Sequence, residues 1–208
     1  MTGKLITFEG SEGSGKSTQI QLAQQYLEEK GQNVLFLREP GGVKISETVR
    51  DLLLDNNIVN MSRECETLLY MAARAQLVKE VMIPKLKSGT LILCDRFLDS
   101  TIAYQGYGNG VDIEEIKNIG AFATRDCRPD LTLLFDLDVE EGFRRINRPK
   151  DRIENRSLEY HNRVRKGYLK IAKQDPARIK IIDAARSKEE IQALIIKYMD
   201  DLIGIAER

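Results

Sequence analysis

The sequence predicts an α/β fold in which a doubly wound, five-stranded parallel sheet is flanked by helices. Five short apolar segments alternate along the chain with longer segments whose apolar residues recur at helical spacing. A glycine-rich loop separates the first of these strands from the first helix. The 208 residues, of which 42% are hydrophobic, are enough to bury one core. We therefore expect a single domain that spans residues 1–208.

The bounds of these elements follow from the apolar pattern and from turn residues. The first helix ends before Gly31, and the Pro-Gly-Gly sequence at 40–42 fixes a sharp turn after the second strand. Pro84 should kink or end the long third helix, and we expect the glycine-rich segment 106–110 to be flexible. Helices between consecutive strands place those strands in parallel. The predicted strands are 4–9, 33–38, 90–94, 131–135 and 179–182, and the predicted helices are 17–30, 44–54, 62–88, 100–105, 113–123, 139–148, 157–173 and 187–205.

The overall composition argues against several classes of protein. The 32 basic and 32 acidic residues cancel, so no overall field attracts the chain to nucleic acid or to a membrane. Cys65, Cys94 and Cys127 fit neither a disulfide framework nor a zinc site. No apolar run reaches the roughly 20 residues of a membrane span, and we expect a cytoplasmic protein with reduced thiols. The single histidine, His161, lies among basic residues on a predicted helix, which favours a solvated surface position over an acid–base role.

Residues 10–17, Gly-Ser-Glu-Gly-Ser-Gly-Lys-Ser, match the phosphate-binding pattern G-x-x-x-x-G-K-[ST] at every fixed position. The glycines let backbone N–H groups turn toward the β-phosphate of a nucleotide, Lys16 reaches the β- and γ-phosphate oxygens, and the Ser17 hydroxyl can hold Mg²⁺. A chance glycine–serine turn is the alternative, but the position between a strand and a helix N-terminus favours an anion site. The predicted ATP-binding residues here are Gly10, Ser11, Glu12, Gly13, Ser14, Gly15, Lys16, Ser17 and Thr18.

A second carboxylate near this loop is needed to complete a Mg²⁺ site for phosphoryl transfer. Asp95 and Asp136 each follow an apolar strand. Asp136 is followed closely by Asp138 and a helix start, where N-capping accounts for acidic residues. Asp95 is followed at once by Arg96, which would place a cation beside a phosphate. We therefore predict Asp95 as the second metal ligand, with an ordinary ion pair to Arg96 as the alternative.

A phosphate-binding loop alone does not separate kinases from motors and switches, although the Asn-Lys-x-Asp run usual in guanine-specific switches is missing. Further motifs follow the loop in order: Arg-Glu-Pro-Gly-Gly at 38–42, Ala-Ala-Arg-Ala-Gln at 72–76, Asp-Arg-Phe at 95–97 and Ser-Thr-x-x-Tyr-Gln-Gly at 100–106. In order and spacing these motifs, with Glu12 in the loop and Asp-Arg-Ile-Glu at 151–154, resemble the bacterial thymidylate kinases. The resemblance runs from about residue 4 to the fifth predicted strand.

That resemblance implies a P-loop kinase fold and transfer of the γ-phosphate of ATP to dTMP, giving dTDP and ADP, with Mg²⁺. It also implies a homodimer packed through helices, for which the apolar faces near 49–53 and 68–78 are candidates. Another nucleoside monophosphate or deoxynucleoside kinase remains open. So does a nucleotide-dependent switch without an acceptor substrate, which would ignore dTMP.

The resemblance also assigns residues to the acceptor nucleotide. It implies that Arg38 and Arg96 bind the acceptor phosphate, for which guanidinium groups are well suited. It implies that Tyr70 stacks on thymine, with core packing as the alternative, and that Arg74, four residues later on the same helix face, reaches a ring carbonyl. The remaining implied acceptor contacts are Glu12 to a sugar hydroxyl, Thr101 to the pyrimidine edge, Tyr104 where a ribose hydroxyl would lie, and Ser100 and Gln105 as further polar contacts.

The segment 144–156 is predicted to be a basic lid over the triphosphate. It holds six cations against two anions, more than a solvated helix face usually needs, although such a face is the alternative. The loop has Gly13 after Glu12 and no arginine, so the chain resembles the class of thymidylate kinases in which the lid supplies the catalytic arginine. The leading candidates are Arg152 and Arg148. The predicted catalytic cations are thus Lys16, Arg96, Arg148 and Arg152, and Arg144 is predicted to bind ATP.

Three positions depart from the family pattern. Many relatives have Thr where this chain has Val43 and Tyr where it has Phe97, which affects only local hydrogen bonds. Many bacterial relatives have Arg where it has Asn109, so a cation near the acceptor pocket is missing.

Overall fold

The computed structural model describes residues 3–204, in which five parallel strands form a sheet. The strands are β1 (Leu5–Gly10), β2 (Val34–Arg38), β3 (Leu91–Asp95), β4 (Leu131–Asp136) and β5 (Ile179–Asp183). Their order is β2-β3-β1-β4-β5, so β1 is central, and its Phe8 pairs with Asp95 on one side and Leu133 on the other. This arrangement confirms the predicted fold class.

Helices cover both faces of the sheet. The serines at which three of the predicted helices begin are N-caps, because Ser62, Ser157 and Ser187 accept hydrogen bonds from backbone N–H groups three residues later. Two π-helical segments, Val78–Met82 and Ile102–Gly108, extend the helices that precede them. The α-helices are α1 (Lys16–Glu29), α2 (Lys44–Leu54), α3 (Arg63–Leu77), α4 (Ile83–Lys87), α5 (Leu98–Thr101), α6 (Ile113–Thr124), α7 (Val139–Arg144), α8 (Leu158–Gln174) and α9 (Lys188–Ile203).

The alternation of side chains along the strands divides the core into two layers. On one face, Ile6 and Phe8 of β1 pack with residues of α1 and α9, such as Leu27 and Ile195. On the other face, Leu5 packs with the end of α3 and the π-helical segment that follows it. A further cluster joins α6, α8 and the segment Ile102–Gly108 on that side of the sheet. The sheet therefore holds the loop after β1 at a fixed position between the two layers.

Pro84 changes the third helix without ending it. The helix runs from α3 through Val78–Met82 into α4, and Pro84 lies in the first turn of α4. Proline lacks the N–H that a regular helix interior needs, and the π-helical segment changes the hydrogen-bond register just before it. The helix therefore does not end at this residue, and a change of hydrogen-bond register lies just before it.

The prediction that segment 106–110 is flexible is wrong for most of its length. Gly106 and Gly108 lie in the π-helical segment and are buried. A Cβ atom added at Gly108 would lie only 2.6 Å from Cε2 of Tyr160 on α8. The glycine there allows close packing of two helices, which composition alone does not distinguish from a flexible loop.

The region after β4 also differs from the sequence prediction. Helix α7 ends at Arg144, four residues before the predicted end at 148, and turns follow until α8 begins at Leu158. At the other end, α9 is described as far as Ile203, and the predicted last residue, 205, lies outside the described residues. Among residues 3–204, no helix has the length and apolar character that crossing a membrane requires.

His161 is buried, so the prediction of a solvated histidine is wrong. Its ring makes edge contacts with Phe143 and Tyr160, at centroid distances of 4.7 and 5.1 Å. Burial lowers the pKa of His161 below its ordinary value. The basic residues that follow it lie on other faces of α8, whereas His161 shares the inner face with Val164 and Tyr168, three and seven residues later.

Candidate active site

A cleft of about 610 Å³ opens above the carboxyl ends of β1 and β3, where open α/β sheets bind their ligands. It brings together most of the predicted site. The predicted residues that line it are Glu12, Gly13, Lys16, Ser17, Arg38, Tyr70, Arg74, Asp95, Arg96, Ser100, Thr101, Tyr104, Gln105 and Arg148. The other predicted residues, Gly10, Ser11, Ser14, Gly15, Thr18, Arg144 and Arg152, lie outside this lining.

The loop between β1 and α1 has the geometry of an anion cradle. Gly10, Gly13 and Gly15 have φ values of 135°, 69° and 84°, a region that other residues rarely adopt. The Nζ of Lys16 donates hydrogen bonds to the carbonyl oxygens of Gly10 and Ser11, at 2.9 and 2.8 Å. Burial lowers the pKa of Lys16 to about 8. The ammonium group is thus held against the inner edge of its own loop, where carbonyl oxygens occupy its donors.

Asp95 is placed to complete a metal site, and Asp136 is not. Asp95 ends β3 beside the central strand and lines the cleft together with Ser17. Its Oδ1 is buried and has no hydrogen-bond partner in the described part of the chain, which is unusual for a carboxylate oxygen. Asp136 instead accepts hydrogen bonds of 2.7 and 3.1 Å from the guanidinium of Arg165. The free carboxylate oxygen of Asp95 fits a hydrated Mg²⁺, which is typically held by one or two carboxylates and by phosphates.

Arg96 is fixed in the cleft by a strained backbone and by three neighbours. Its φ of 69° is left-handed, which costs free energy for a residue other than glycine. One guanidinium nitrogen donates to Glu12 at 2.8 Å, another donates to the hydroxyl of Tyr168 at 3.1 Å, and the group lies 4.9 Å from the ring centre of Tyr104. Burial raises the pKa of Glu12, but Arg96 and Lys16 outweigh it, so that this pKa lies below its ordinary value.

Glu9 organises this turn and was not identified from the sequence. Its buried carboxyl group accepts hydrogen bonds from the backbone N–H of Phe97 at 2.7 Å, from Ser100 Oγ at 2.5 Å and from the hydroxyl of Tyr168 at 3.0 Å. Burial, with a smaller effect of Asp99, raises the pKa of Glu9 to about 7. Glu9 therefore ties the end of β1 to the turn that carries Arg96. In the sequence it is only the last residue of a strand, which gives no signal of this role.

Arg74 lines the cleft and also forms a buried ion pair. Its Nε lies 2.6 Å from Glu39 Oε2, and another nitrogen donates to the carbonyl oxygen of Phe97 at 3.0 Å. The side chains of Arg74 and Glu39 are 2% and 4% exposed. Burial raises the pKa of Glu39, while Arg74 opposes this shift. The pair fixes the turn 38–42 to α3, a structural role beyond the base contact that the resemblance implies.

The remaining acceptor candidates line the same cleft, and we call the part formed by Arg96, Tyr70, Thr101, Tyr104 and Gln105 the acceptor end. Tyr70 is only partly buried and lines the cleft, which argues against the alternative of core packing. The hydroxyl of Tyr104 lies 2.7 Å from each carboxylate oxygen of Glu12. Thr101 has a buried Oγ1 that finds no hydrogen-bond partner among residues 3–204. Arg50, a cleft residue that sequence reasoning missed, donates to the carbonyl oxygen of Pro40 at 2.9 Å.

The lid candidates separate into two groups. Arg148 lines the cleft and forms two hydrogen bonds with Glu154, at 2.6 and 2.8 Å. Arg152 lies outside the cleft lining and donates to the carbonyl oxygen of Leu53 and to Glu66, each at 2.7 Å. Arg144, the predicted ATP contact, is exposed and pairs with Glu141 at 2.8 Å. In this structure Arg148 is therefore the lid arginine that faces the cleft.

The three departures from the family pattern have structural replacements. Asn109 accepts a hydrogen bond from Arg156, so a lid arginine supplies a cation beside this position. Val43 at the start of α2 makes no side-chain cap, and Glu47 instead accepts a hydrogen bond from the backbone N–H of Gly42 at 2.8 Å. The ring of Phe97 is buried and lies 5.4 Å from the guanidinium of Arg74, in place of any hydroxyl contact.

Comparison with known proteins gives a consistent result. A family model described as thymidylate kinase matches residues 8–195. The chain is 47% identical over 194 residues to the thymidylate kinase of Kosmotoga olearia, covering 92% of this chain and 93% of that protein. It is 45% identical over 209 residues to that of Thermoanaerobacter sp. strain X514, covering 100% and 99% of the two chains.

A solved structure agrees with these sequence matches. The crystal structure of thymidylate kinase from Ehrlichia chaffeensis superposes with a TM-score of 0.79 at 34% identity, covering 96% of this chain and 99% of that chain. The phosphate cradle, the arginine-rich acceptor end and these similarities over nearly the full length lead to one conclusion: the chain belongs to the thymidylate kinase family.

Proposed function

We propose that this chain, as one domain over residues 1–208, transfers the γ-phosphate of Mg·ATP to dTMP and gives dTDP and ADP. The observation that carries the proposal is a single cleft with a phosphate cradle and a second cationic group. Lys16 is the cation of the cradle. Arg96, which contacts Glu12 and Tyr104, is the second cationic group. Two phosphate-binding groups in one cleft suit an enzyme that moves a phosphoryl group between nucleotides, whereas a switch needs only the first.

The residues of the cleft would act by positioning and charge. A phosphate acceptor is already ionised near neutral pH, so the reaction needs no strong base. Arg96 and Arg38 would hold the acceptor phosphate in line with the γ-phosphate, while Lys16 would neutralise charge on the β- and γ-oxygens. Tyr70 and Thr101, which line the acceptor end, would contact the base.

Ser17 and Asp95 are the residues that would hold Mg²⁺. Mg²⁺ is usually held by one or two carboxylates, by substrate phosphates and by water, so we expect phosphate oxygens and water to supply the other ligands. When bound, Mg²⁺ neutralises charge on the transferring phosphate. Asp95→Asn should raise the Mg²⁺ concentration needed for half-maximal turnover at least tenfold. An unchanged Mg²⁺ dependence would remove Asp95 from the site.

Within the lid, we assign the catalytic cation to Arg148. It already lines the cleft, and its one carboxylate partner among residues 3–204 is Glu154, on the same lid. When a triphosphate enters, this exposed guanidinium would exchange Glu154 for phosphate oxygens. Arg152 would need to leave two buried partners first, Leu53 and Glu66.

A coupled assay for ADP release tests the reaction. Release should be slow with ATP alone and should increase at least a hundredfold when dTMP is added. Rates with dUMP, UMP and dGMP then distinguish a thymidylate kinase from another nucleoside monophosphate kinase. Release that ignores every nucleoside monophosphate would indicate a nucleotide switch and would contradict the proposal.

We also propose that the chain is a homodimer in the cytoplasm, without nucleic acid or membrane partners. Leu52 on α2, Leu68 on α3 and Phe122 on α6 are exposed apolar side chains on helices that pack together. Leu53 and Leu77, in the faces that the sequence suggested, are buried in the chain's own core. Sedimentation equilibrium should give twice the chain mass, and Leu68→Asp should give a monomer. A monomer of the unmodified protein at micromolar concentration would contradict the dimer.

A further inference from the structure

One buried carboxylate joins the lid to the acceptor end of the cleft. Glu66 on α3 is 0% exposed and accepts four side-chain hydrogen bonds. Its Oε1 accepts from Gln105 at 3.0 Å and from Asn109 at 2.9 Å. Its Oε2 accepts from Arg152 at 2.7 Å and from Arg156 at 2.6 Å. Gln105 belongs to the segment Ile102–Gly108, and Asn109 directly follows it. The other two donors, Arg152 and Arg156, belong to the lid.

The two lid arginines that bind Glu66 also contact other parts of the protein. The Nε of Arg152 donates a hydrogen bond to the carbonyl oxygen of Leu53 at 2.7 Å. The backbone N–H of Arg152 donates to the carbonyl oxygen of Leu54 at 3.3 Å. The guanidinium of Arg156 also lies 4.6 Å from the ring centre of Tyr160. These contacts hold the inner half of the lid, residues 150–156, against α2, α3 and α8, while Arg148 on the outer half faces the cleft.

The acceptor side of the cluster fixes an amide. Gln105 lines the cleft and gives its Nε2 to Glu66, so its carbonyl oxygen is the group that it can offer to a bound base. A carboxylate accepts hydrogen bonds and cannot donate one, so Glu66 permits only this orientation of the amide. An oxygen there matches the ring N–H of thymine and opposes cytosine, whose corresponding ring nitrogen is an acceptor.

We propose that Glu66 is a positioning residue that fixes the base-facing amide of Gln105 and the inner half of the lid at the same time. This proposal rests on the proposed function for its meaning in catalysis, but the docking of the lid does not depend on the substrate. Removing the charge leaves two partly buried guanidinium groups without their carboxylate, which is unfavourable. The lid and the acceptor end then lose their common anchor.

Hydrogen–deuterium exchange of the protein without nucleotides tests the lid docking. Glu66→Gln should increase exchange of the backbone amides in 150–156 at least tenfold, whereas amides of β3 should be unaffected. Glu64→Gln is the matched control, because Glu64 lies on the same helix, is exposed and pairs with its neighbour Arg63 rather than with the lid. Unchanged lid exchange in a folded Glu66→Gln protein would overturn the proposal, whatever the protein does to dTMP.

A second variant keeps the test informative if Glu66→Gln does not fold. Arg156 lies nearer the surface, with 23% of its side chain exposed, so Arg156→Gln should remain folded. It should increase exchange in the same lid segment at least threefold. Lid exchange equal to that of the unmodified protein would overturn the proposal from this side.

The coupling to base recognition has its own readout. Glu66→Gln should lower kcat/KM for dTMP at least tenfold and should reduce the preference for dTMP over dCMP, because the Gln105 amide is free to turn over. Arg156→Gln alone should lower kcat/KM for dTMP several-fold. Added to Glu66→Gln, it should lower kcat/KM by less than a further twofold. The positioning role would be rejected if the effects of the two substitutions on kcat/KM multiplied in the double variant. It would also be rejected if an active Glu66→Gln enzyme kept the same preference for dTMP over dCMP. Inactivity of the unmodified enzyme toward dTMP would instead reject the proposed function.

Discussion

Arg148 and Glu154 form a two-pronged ion pair across the turn of the lid, with nitrogen–oxygen distances of 2.6 and 2.8 Å. The carboxylate is buried, while the arginine side chain is 60% exposed. Backbone N–H groups hold the turn as well, since Asp151 Oδ1 accepts from the N–H groups of Ile153 and Glu154 at 2.9 Å each. We therefore expect this exposed guanidinium, which lies on a fixed turn at the edge of the cleft, to bind a triphosphate.

Arg148→Gln should therefore lower kcat by about 10²–10³, the usual effect of losing one pre-organised transition-state group. The KM for dTMP should change less than threefold, because Arg148 bonds to Pro149 and Glu154 within the lid and not to the residues assigned to the acceptor. Arg186→Gln is a control, since Arg186 is exposed and pairs with Asp183 in a turn. Steady-state kinetics check the result. If Arg152→Gln lowers kcat more than Arg148→Gln does, the assignment within the lid is reversed.

Lys16→Ala should abolish turnover while the protein stays folded. The ammonium group would neutralise charge that develops on the β- and γ-phosphates, and its loss should raise the activation free energy by about 3–5 kcal/mol. Lys197→Ala, on the exposed face of α9, is the control. Circular dichroism establishes folding and the ADP assay measures turnover. A Lys16→Ala enzyme with more than a tenth of normal turnover would contradict the assignment of the loop.

The features that could be predicted from sequence are those set by local chemistry. Residues 10–17 form the predicted cradle because strand, loop and helix start are contiguous in the chain. The strand bounds were predicted within one residue for the same reason, since buried parallel strands are short apolar runs. Asp95 was preferred to Asp136 from the neighbouring Arg96, and its free Oδ1 supports that choice.

What could not be predicted depends on partners that are distant in the chain. Glu9 meets Phe97, Ser100 and Tyr168, which are 88, 91 and 159 residues away. The segment 144–156 was predicted to be a lid from its basic residues, but the partners of Arg152 are set by packing against Leu53 and Glu66. No pattern of charge along residues 144–156 distinguishes an arginine that is docked from one that faces the cleft.

Tyr104 should exclude ribonucleotides. Its ring is held edge-on between Tyr160 and Tyr168, with centroid distances of 6.4 and 6.0 Å, and its hydroxyl is bound to Glu12. The family resemblance places this ring where a ribose 2′-hydroxyl would lie. Tyr104→Ala should therefore raise kcat/KM for UMP relative to dUMP at least tenfold, because the space becomes available.

Two further variants separate the ring from its hydroxyl. Tyr104→Phe should keep the sugar preference but raise the KM for dTMP several-fold, since Glu12 loses a hydrogen bond. Tyr107→Phe, in the same helical segment, should leave both unchanged. If Tyr104→Ala leaves the ratio of kcat/KM for UMP to kcat/KM for dUMP unaltered, Tyr104 has a packing role and does not select the sugar.

Glu9 should make stability depend on pH. Its pKa is about 7 in the folded protein against an ordinary 4.5, because burial and the neighbouring Asp99 disfavour the charged form more than Arg96 and hydrogen bonds favour it. The folded state therefore binds this proton more tightly than the unfolded state, and stability is lost as the pH rises from about 4.5 to 7.

The pKa difference corresponds to roughly 3 kcal/mol, and Glu9→Gln removes the titration while keeping the size of the side chain. Urea unfolding of both proteins at pH 5, 6, 7 and 8 measures the effect. The free energy of unfolding of Glu9→Gln, relative to the unmodified protein, should increase by roughly 2–3 kcal/mol between pH 5 and 8. Glu189→Gln, at an exposed position in α9, should show no such trend. Parallel pH profiles for Glu9→Gln and the unmodified protein would mean that Glu9 stays ionised throughout, and that the turn carrying Arg96 is held by a charged carboxylate.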